Sequence, residues 1–247
     1  MNKQIPHQHN NAEKPEVLLW LFSVGNLSDL HWTQIEHILT TEEKTVALRK
    51  RHSAVYKASR AIARLALAQL LHVVPRTLVF EKHEKGKPFL PSHPHIGFNV
   101  SHSGDWIAFA ATRSTNALGV DIECHSERDH LSIAEHYFHA DEIEALKHAQ
   151  DSSAPFFQYW TLKEAFFKAL GSGIVTGLSR INLADFAVLG QFTIDPALKE
   201  YERDWSLHYQ HLCQETERSL AIALKSGQGF HISHRDFLTD LTTLNPT

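Results

Sequence analysis

A mixed α/β fold is predicted by three features of the sequence. Some segments repeat their apolar residues with a helical period, others alternate apolar and polar residues, and the two kinds intermix along the chain. A length of 247 residues with 43% hydrophobic residues is enough for a substantial core. Each half offers helical and strand-like segments in similar amounts, and there is no sequence-level repeat.

The elements follow in order. Residues 1–15 read as a polar tail without an apolar signal core. Residues 17–24 read as a buried strand ended by Gly25-Asn26, and residues 29–39 as a short helix. One long helical stretch is predicted over 41–71, with Val55, Ile62, Leu65, Ala66 and Leu70 near helical spacing and Pro75 closing it. Residues 78–82 form a short strand, Lys85-Gly86-Lys87-Pro88 a turn, residues 98–100 a strand stub, and Ser101-His102-Ser103-Gly104 a second turn. Residues 106–112 and 118–123 are predicted to pair as a hairpin. Helices are expected at 132–136, 141–149 and 154–170, the last capped by Gly171. The remainder to Lys225 is mostly strand-like.

Charge narrows the function classes. The net charge is -4, too close to neutral for a dedicated nucleic-acid binder. The total conceals an asymmetry: residues 1–115 carry 14 bases and nine acids, the rest ten bases and 19 acids. A basic half joined to an acidic one suggests a phosphate-rich ligand on one side and a metal on the other. The longest apolar run near the start, residues 17–22, is too short to span a bilayer. Two cysteines, Cys124 and Cys213, are expected as buried free thiols, consistent with a cytoplasmic protein.

Four constellations carry chemistry. In Leu118-Gly119-Val120-Asp121-Ile122-Glu123 the strand period puts Asp121 and Glu123 on one face. Paired carboxylates suit Mg²⁺ or Mn²⁺, although a half-exposed edge strand shows the same alternation. In the segment from Trp160 to Gly171, the residues Trp160, Glu164 and Lys168 stack at i, i+4, i+8. Glu164 would add a third carboxylate and Lys168 a phosphate contact, against the plain reading of a surface ion pair. Thr161-x-x-Glu164 mimics a capping box but falls mid-helix. Asn99-Val100-Ser101-His102-Ser103-Gly104 resembles an anion nest. A Ser/His hydrolase is excluded, because no Gly-x-Ser-x-Gly elbow is present and adjacent strand residues face apart. Finally, eight bases and no acid occur between Lys44 and Phe80, with Lys57, Arg60 and Arg64 on one helix face. This stripe reads as uncompensated and suited to a polyanion, without the aromatics that stack on nucleic-acid bases. Gly171-Ser172-Gly173 is not a dinucleotide fingerprint, and His7-x-His9 and His93-x-His95 lack further ligands for zinc.

Taken together and in order, these segments resemble the larger, surfactin-activating (Sfp-like) 4'-phosphopantetheinyl transferases. The matching residues are Gly86-Lys87-Pro88, Phe98-Asn99-Val100-Ser101-His102-Ser103-Gly104, Gly119-Val120-Asp121-Ile122-Glu123, Tyr137-Phe138-His139-Ala140-Asp141-Glu142 and Trp160 to Lys168. The resemblance covers about residues 44–171 and implies a pseudo-twofold pair of similar subdomains, each a small sheet packed with a long helix. The active site would lie in the cleft between residues 1–115 and 116–247. The first subdomain would hold the coenzyme A phosphates and adenine, the second the metal and the carrier-docking surface. The implied reaction moves phosphopantetheine from coenzyme A to a serine of an apo acyl or peptidyl carrier protein, releasing adenosine 3',5'-bisphosphate. By resemblance Asp121, Glu123 and Glu164 hold Mg²⁺, and Lys168 contacts the pyrophosphate. Ser101 and His102 bind phosphates, Arg60 lies near the 3'-phosphate, and Gly86, Lys87 and Pro88 line the adenine side. The base would be Glu164, Glu123 or a water held by the metal. His136, Tyr137 and His139 depart from the Arg, Phe and Ser often found in the family, which bears on carrier preference. A monomer is expected, with no nucleic-acid or membrane partner. The competing readings are a Mg²⁺-dependent phosphodiesterase and a non-catalytic coenzyme A-binding module.

Overall fold

The structure is a computed structural model that describes residues 13–173, 177–195, 204–214 and 216–243. Most of the predicted polar tail, with His7-x-His9, lies outside the described residues. The elements are β1 (Glu16–Ser23), α1 (Asp29–Ile38), α2 (Thr41–Ala47), α3 (Ser53–Leu71), β2 (Glu81–Lys82) and β3 (Pro88–Phe89). Next come β4 (Gly97–Ser103), β5 (Trp106–Thr112), β6 (Leu118–Cys124), α4 (His130–Tyr137), α5 (Ala140–His148) and α6 (Ser153–Leu170). The chain continues through β7 (Ile181–Asn182), α7 (Phe186–Leu189), β8 (Thr193–Ile194), β9 (Trp205–Gln214), β10 (Thr216–Lys225), β11 (His231–Arg235) and α8 (Phe237–Thr242).

Two sheets carry the fold, one of order β11-β1-β5-β4 and one of order β6-β10-β9. Strand alternation builds three cores from them. Leu18, Trp20 and Phe22 of β1 and Ile107 and Phe109 of β5 face α3, where Ile62, Leu65 and Ala66 meet them. Their neighbours Val17, Leu19, Ala108 and Ala110 face the other way and pack on Leu118, Val120, Ile122, Leu220 and Ile222 of the second sheet. Ala221 and Ala223 of β10 face α6, joining Leu162, Ala165 and Phe166. The layers therefore run α3, first sheet, second sheet, α6, so each half pairs a small sheet with one long helix. The C-terminal strand β11 runs parallel to β1 and returns the chain to the first sheet.

Local sequence explains the long helices. Helix α3 contains no glycine or proline, and α6 has its proline, Pro155, in the first turn, where the missing N–H costs no helical bond. Gly171 caps α6 with φ of 68°, a left-handed conformation that glycine adopts without strain. Gly119 lets β6 lie directly on this helix. A Cβ there would sit 2.0 Å from the Ala165 carbonyl oxygen and 2.5 Å from the Ala169 nitrogen. Gly119→Ala is expected to lower the unfolding free energy by about 1–3 kcal/mol, the usual range for overpacking. Urea unfolding measures it, and an unchanged midpoint would contradict the close approach.

Several sequence expectations are corrected. The stretch 41–71 is two helices, since residues 48–52 form turns in which exposed Arg49, Lys50 and Arg51 follow the C-terminal end of α2, where cations are favoured. Residues 101–103 are strand rather than turn: His102 pairs with Ile107 and Ser103 with Trp106, so the turn is the two-residue Gly104-Asp105. Strands β5 and β6 do not form a hairpin. Strand β5 is hydrogen-bonded on both edges, to β1 and β4, and β6 pairs instead with β10. The predicted strand over 78–82 is confined to Glu81–Lys82, and the region before Lys225 also contains the short helix α7. Both cysteines are free, but neither is buried: Cys124 is partly exposed and Cys213 is exposed.

Candidate active site

Where the two sheets meet, β4 presents its edge to β6. Asn99, Ser101 and Ser103 alternate along β4 and so project from one face. Asn99 Oδ1 accepts from the Val120 N–H at 3.0 Å. The Ser101 hydroxyl donates to Asp121 Oδ1 at 2.7 Å, and the Ser103 hydroxyl donates to Glu123 Oε2 at 3.1 Å while accepting from the Cys124 N–H at 3.0 Å. Side chains rather than a backbone ladder thus join the sheets. The sequence pattern groups Ser101 with His102 as an anion nest; the structure turns the two apart, with Ser101 buried and His102 exposed.

From α6 comes Lys168. Its ammonium lies 2.5 Å from Asp121 Oδ1, donates to the Ser101 hydroxyl oxygen at 2.9 Å and stands 3.8 Å from Glu164 Oε2. Burial raises Asp121 above the ordinary carboxylate range, against the pull of Lys168. Burial, with Asp121 as neighbour, also raises Glu123. For Glu164 the same causes reach a pKa of about 7. Burial alone would lower Lys168, but its pairing with Asp121 outweighs that and raises it.

Two carboxylates therefore flank one ammonium with a third, Glu123, nearby, and their mutual repulsion is incompletely neutralised. Asp121 Oδ2 is buried with no hydrogen-bond partner. An orphan buried oxygen within an all-oxygen donor set fits a hard divalent cation such as Mg²⁺. The three carboxylates do not form a tight ligand group. Among the described residues, the group with ligand atoms within 4.8 Å of one another is His125, His211 and Glu217.

The basic stripe is not uncompensated. Arg60 and Arg64 each lie 2.7 Å from Glu43, and Lys57 and Lys44 lie 2.6 and 3.5 Å from Glu36. Arg64 is buried and also donates to the carbonyls of Pro75 and Leu78, which makes it structural. Arg60 stays partly exposed, its guanidinium 4.5 Å from the centre of the Phe80 ring. It lines a cavity of about 690 Å³ together with Lys50, Arg76, Lys82 and Pro88. Gly86 adopts φ of 90° in its turn, which glycine allows. Lys87 donates to the carbonyls of Asn116, Leu118 and Ala169, tying the β3 turn to β6 and α6. Burial lowers it to about 8. Its ammonium is thus engaged by backbone oxygens, while its stem, with Pro88 and Phe89, lines a second cavity of about 260 Å³. Asp121, Glu123 and Glu164 line neither cavity, whereas Glu42, Glu43 and Glu81 share the lining of the larger one.

The sequence assigns no separate role to two side chains here. Ser103 orients Glu123, and its signal was the Asn-x-Ser-x-Ser alternation. Lys163, one residue from Glu164, is fully buried and paired with Glu142 at 2.9 Å. As anticipated, Thr161 caps nothing and donates to the Phe157 carbonyl within the helix.

Comparison with known proteins follows the same division. A 4'-phosphopantetheinyl transferase superfamily model matches residues 117–225, and a 4'-phosphopantetheinyl transferase N-terminal model matches residues 26–114. The chain is 34% identical over 198 residues to 4'-phosphopantetheinyl transferase HetI of Nostoc sp., covering 72% of this chain and 81% of that protein. It is 41% identical over 115 residues to 4'-phosphopantetheinyl transferase gsp of Aneurinibacillus migulanus, 46% of each chain. It is 43% identical over 104 residues to 4'-phosphopantetheinyl transferase psf-1 of Bacillus pumilus, 41% of this chain and 43% of that one. In these last two matches the chain spans about half the length of the relative.

Proposed function

The chain belongs to the 4'-phosphopantetheinyl transferase superfamily, of the larger Sfp-like type, and we propose that it transfers 4'-phosphopantetheine from coenzyme A to a serine of an apo acyl or peptidyl carrier protein. The observation that supports this most strongly is the cluster of buried Asp121 and Glu164 with half-buried Glu123 and Lys168 at the junction of the two halves, with its unpartnered Asp121 oxygen.

In this reading Asp121, Glu123 and Glu164 hold Mg²⁺. When bound, the ion neutralises charge on the coenzyme A pyrophosphate. Lys168, already within reach of Asp121 and Ser101, supplies a second positive charge to the same oxygens. The serine hydroxyl of the carrier attacks the β-phosphorus, the bond from that phosphorus to the bridging oxygen breaks, and adenosine 3',5'-bisphosphate leaves. The serine proton goes to a carboxylate of the cluster, Glu164 or Glu123. Ser101 and Ser103 orient the carboxylates. Ser101 and His102 contact coenzyme A phosphates, and Arg60 receives the 3'-phosphate in its cavity, where five bases outnumber the three carboxylates of Glu42, Glu43 and Glu81. Gly86, Lys87 and Pro88 line the adenine side through their backbone and apolar atoms.

In this reading the boundary falls at 115/116, with β11 and α8 returning to pack on the first half, the nucleotide in the first half and the metal and carrier docking in the second. Exposed Tyr137, set edge-on to Trp160 at 6.1 Å, belongs to the docking face. No helix among the described residues is long and apolar enough to cross a membrane. We assign the protein to the cytoplasm as a monomer without a nucleic-acid or membrane partner. Incubated with coenzyme A and Mg²⁺, an apo carrier protein is expected to gain the mass of one phosphopantetheine by intact mass spectrometry. No gain across a panel of unrelated carriers would overturn the reading.

A further inference from the structure

We propose that His125, His211 and Glu217 form a binding site for a transition-metal ion of the zinc class, separate from the carboxylate cluster. The second sheet brings them together. Glu217 and Ser219 share a face of the central strand β10. Just beyond the end of β6, His125 donates its N–H to the Glu217 carbonyl at 2.8 Å, and on β9 His211 stands opposite Ser219. Three adjacent strands thus converge one side chain each, and their ligand atoms all lie within 4.8 Å of one another.

His125 is held as a metal-ligating imidazole is held. Its side chain is only 6% exposed, and its ring stacks on Phe157 at 4.2 Å and on His211 at 5.3 Å. Nε2 lies 2.9 Å from the Ser219 hydroxyl, which is itself 2.9 Å from the Tyr209 hydroxyl. If Nε2–H donates to Ser219, the Nδ1 lone pair points into the site, the outer-shell arrangement that fixes the tautomer of metal ligands. Nδ1 is buried and has no hydrogen-bond partner. Glu217 Oε2 is 3.3 Å away, an ion-pair contact when the ring is protonated but outside hydrogen-bond geometry. That separation is close to the roughly 3.4 Å expected between two ligands about 2.0–2.1 Å from one tetrahedral zinc. His211 and Glu217 are exposed, so their side chains can rotate to complete the shell.

The donor set decides the ion. Two imidazoles and one carboxylate, with a fourth position open, suit Zn²⁺ or Co²⁺, whereas Mg²⁺ prefers oxygen alone. Cys213 touches the His211 ring at 3.5 Å but is not in the three-residue group, and no ligand role is assigned to it. A bound ion would tie β6, β9 and β10 together at the end of the sheet nearest Glu123.

The test uses the full chain, free of any histidine tag and stripped with a chelator, titrated with Co²⁺ in excess Mg²⁺. One equivalent is expected to give the intense visible bands of four-coordinate cobalt, bleached by stoichiometric Zn²⁺. His211→Ala and Glu217→Gln alter exposed side chains, and far-UV circular dichroism checks that both variants fold. Each should weaken Co²⁺ binding about tenfold or more. Absence of the bands in the wild type, or unchanged affinity in either folded variant, would overturn the site.

Discussion

Asp121→Asn is expected to reduce phosphopantetheine transfer by about two to three orders of magnitude, the scale on which one preorganised charge contact acts in a transition state. The substitution is nearly isosteric. The amide oxygen can still accept from the Ser101 hydroxyl and the Lys168 ammonium, which now lie 2.7 and 2.5 Å from Oδ1. What disappears is the negative charge and, at the Oδ2 position, an acceptor that no protein group uses. If that oxygen only completed a structural ion pair, the change would remove a costly buried charge with little effect on chemistry. If it serves a cation, the amide presents an N–H where the cation would sit, and the dependence on Mg²⁺ concentration should shift upward along with the loss of rate. Steady-state transfer across a Mg²⁺ titration separates these outcomes, with thermal unfolding as the control for folding. Transfer within tenfold of wild type at all Mg²⁺ concentrations would remove Asp121 from the metal site.

Much of this cluster was legible because it rests on local periodicity. The strand period placed Asp121 and Glu123 on one face of β6, and the helix period put Glu164 and Lys168 one turn apart on α6. Long-range pairing was not legible. Strand β6 resembles the second arm of a hairpin with β5, but its partner β10 begins at Thr216, which no local pattern announces. Asn99-Val100-Ser101-His102-Ser103-Gly104 carries the small polar residues of a turn, yet on an edge strand the same residues join two sheets. The basic stripe looked uncompensated because Glu36 and Glu43 precede the interval, and folding brings them onto α3. His125 and Glu217 meet only because β6 and β10 are neighbours, so their contact follows from topology rather than from spacing.

Lys163→Met is expected to destabilise the protein by about 3–5 kcal/mol, because it leaves one partner of a fully buried ion pair behind. Lys163 and Glu142 are both 0% exposed and lie 2.9 Å apart. The Lys163 ammonium also donates to the carbonyls of Leu178 and Ile181, and Glu142 accepts from the N–H groups of His139 and Leu183 at 2.9 and 2.8 Å. One pair therefore clamps α5, α6 and the segment leading through β7, and removing either end orphans groups that water cannot reach. For a chain of this size the melting temperature should fall by about 10 °C. Combining the change with Glu142→Gln should cost less than the sum of the two single variants, because the second substitution removes the stranded charge. The pH dependence has a definite sign. Burial, only partly opposed by Glu142, lowers Lys163 from 10.5 to about 8. Between those two values the unfolded chain binds the proton and the folded chain does not, so this site's contribution to stability rises with pH. The stability gap between wild type and Lys163→Met should accordingly widen from pH 8 toward pH 10.5. A gap that narrows over that interval would show that pairing with Glu142 outweighs burial and raises Lys163, and single and double variants that melt together with the wild type would show that the clamp is not held by this ion pair.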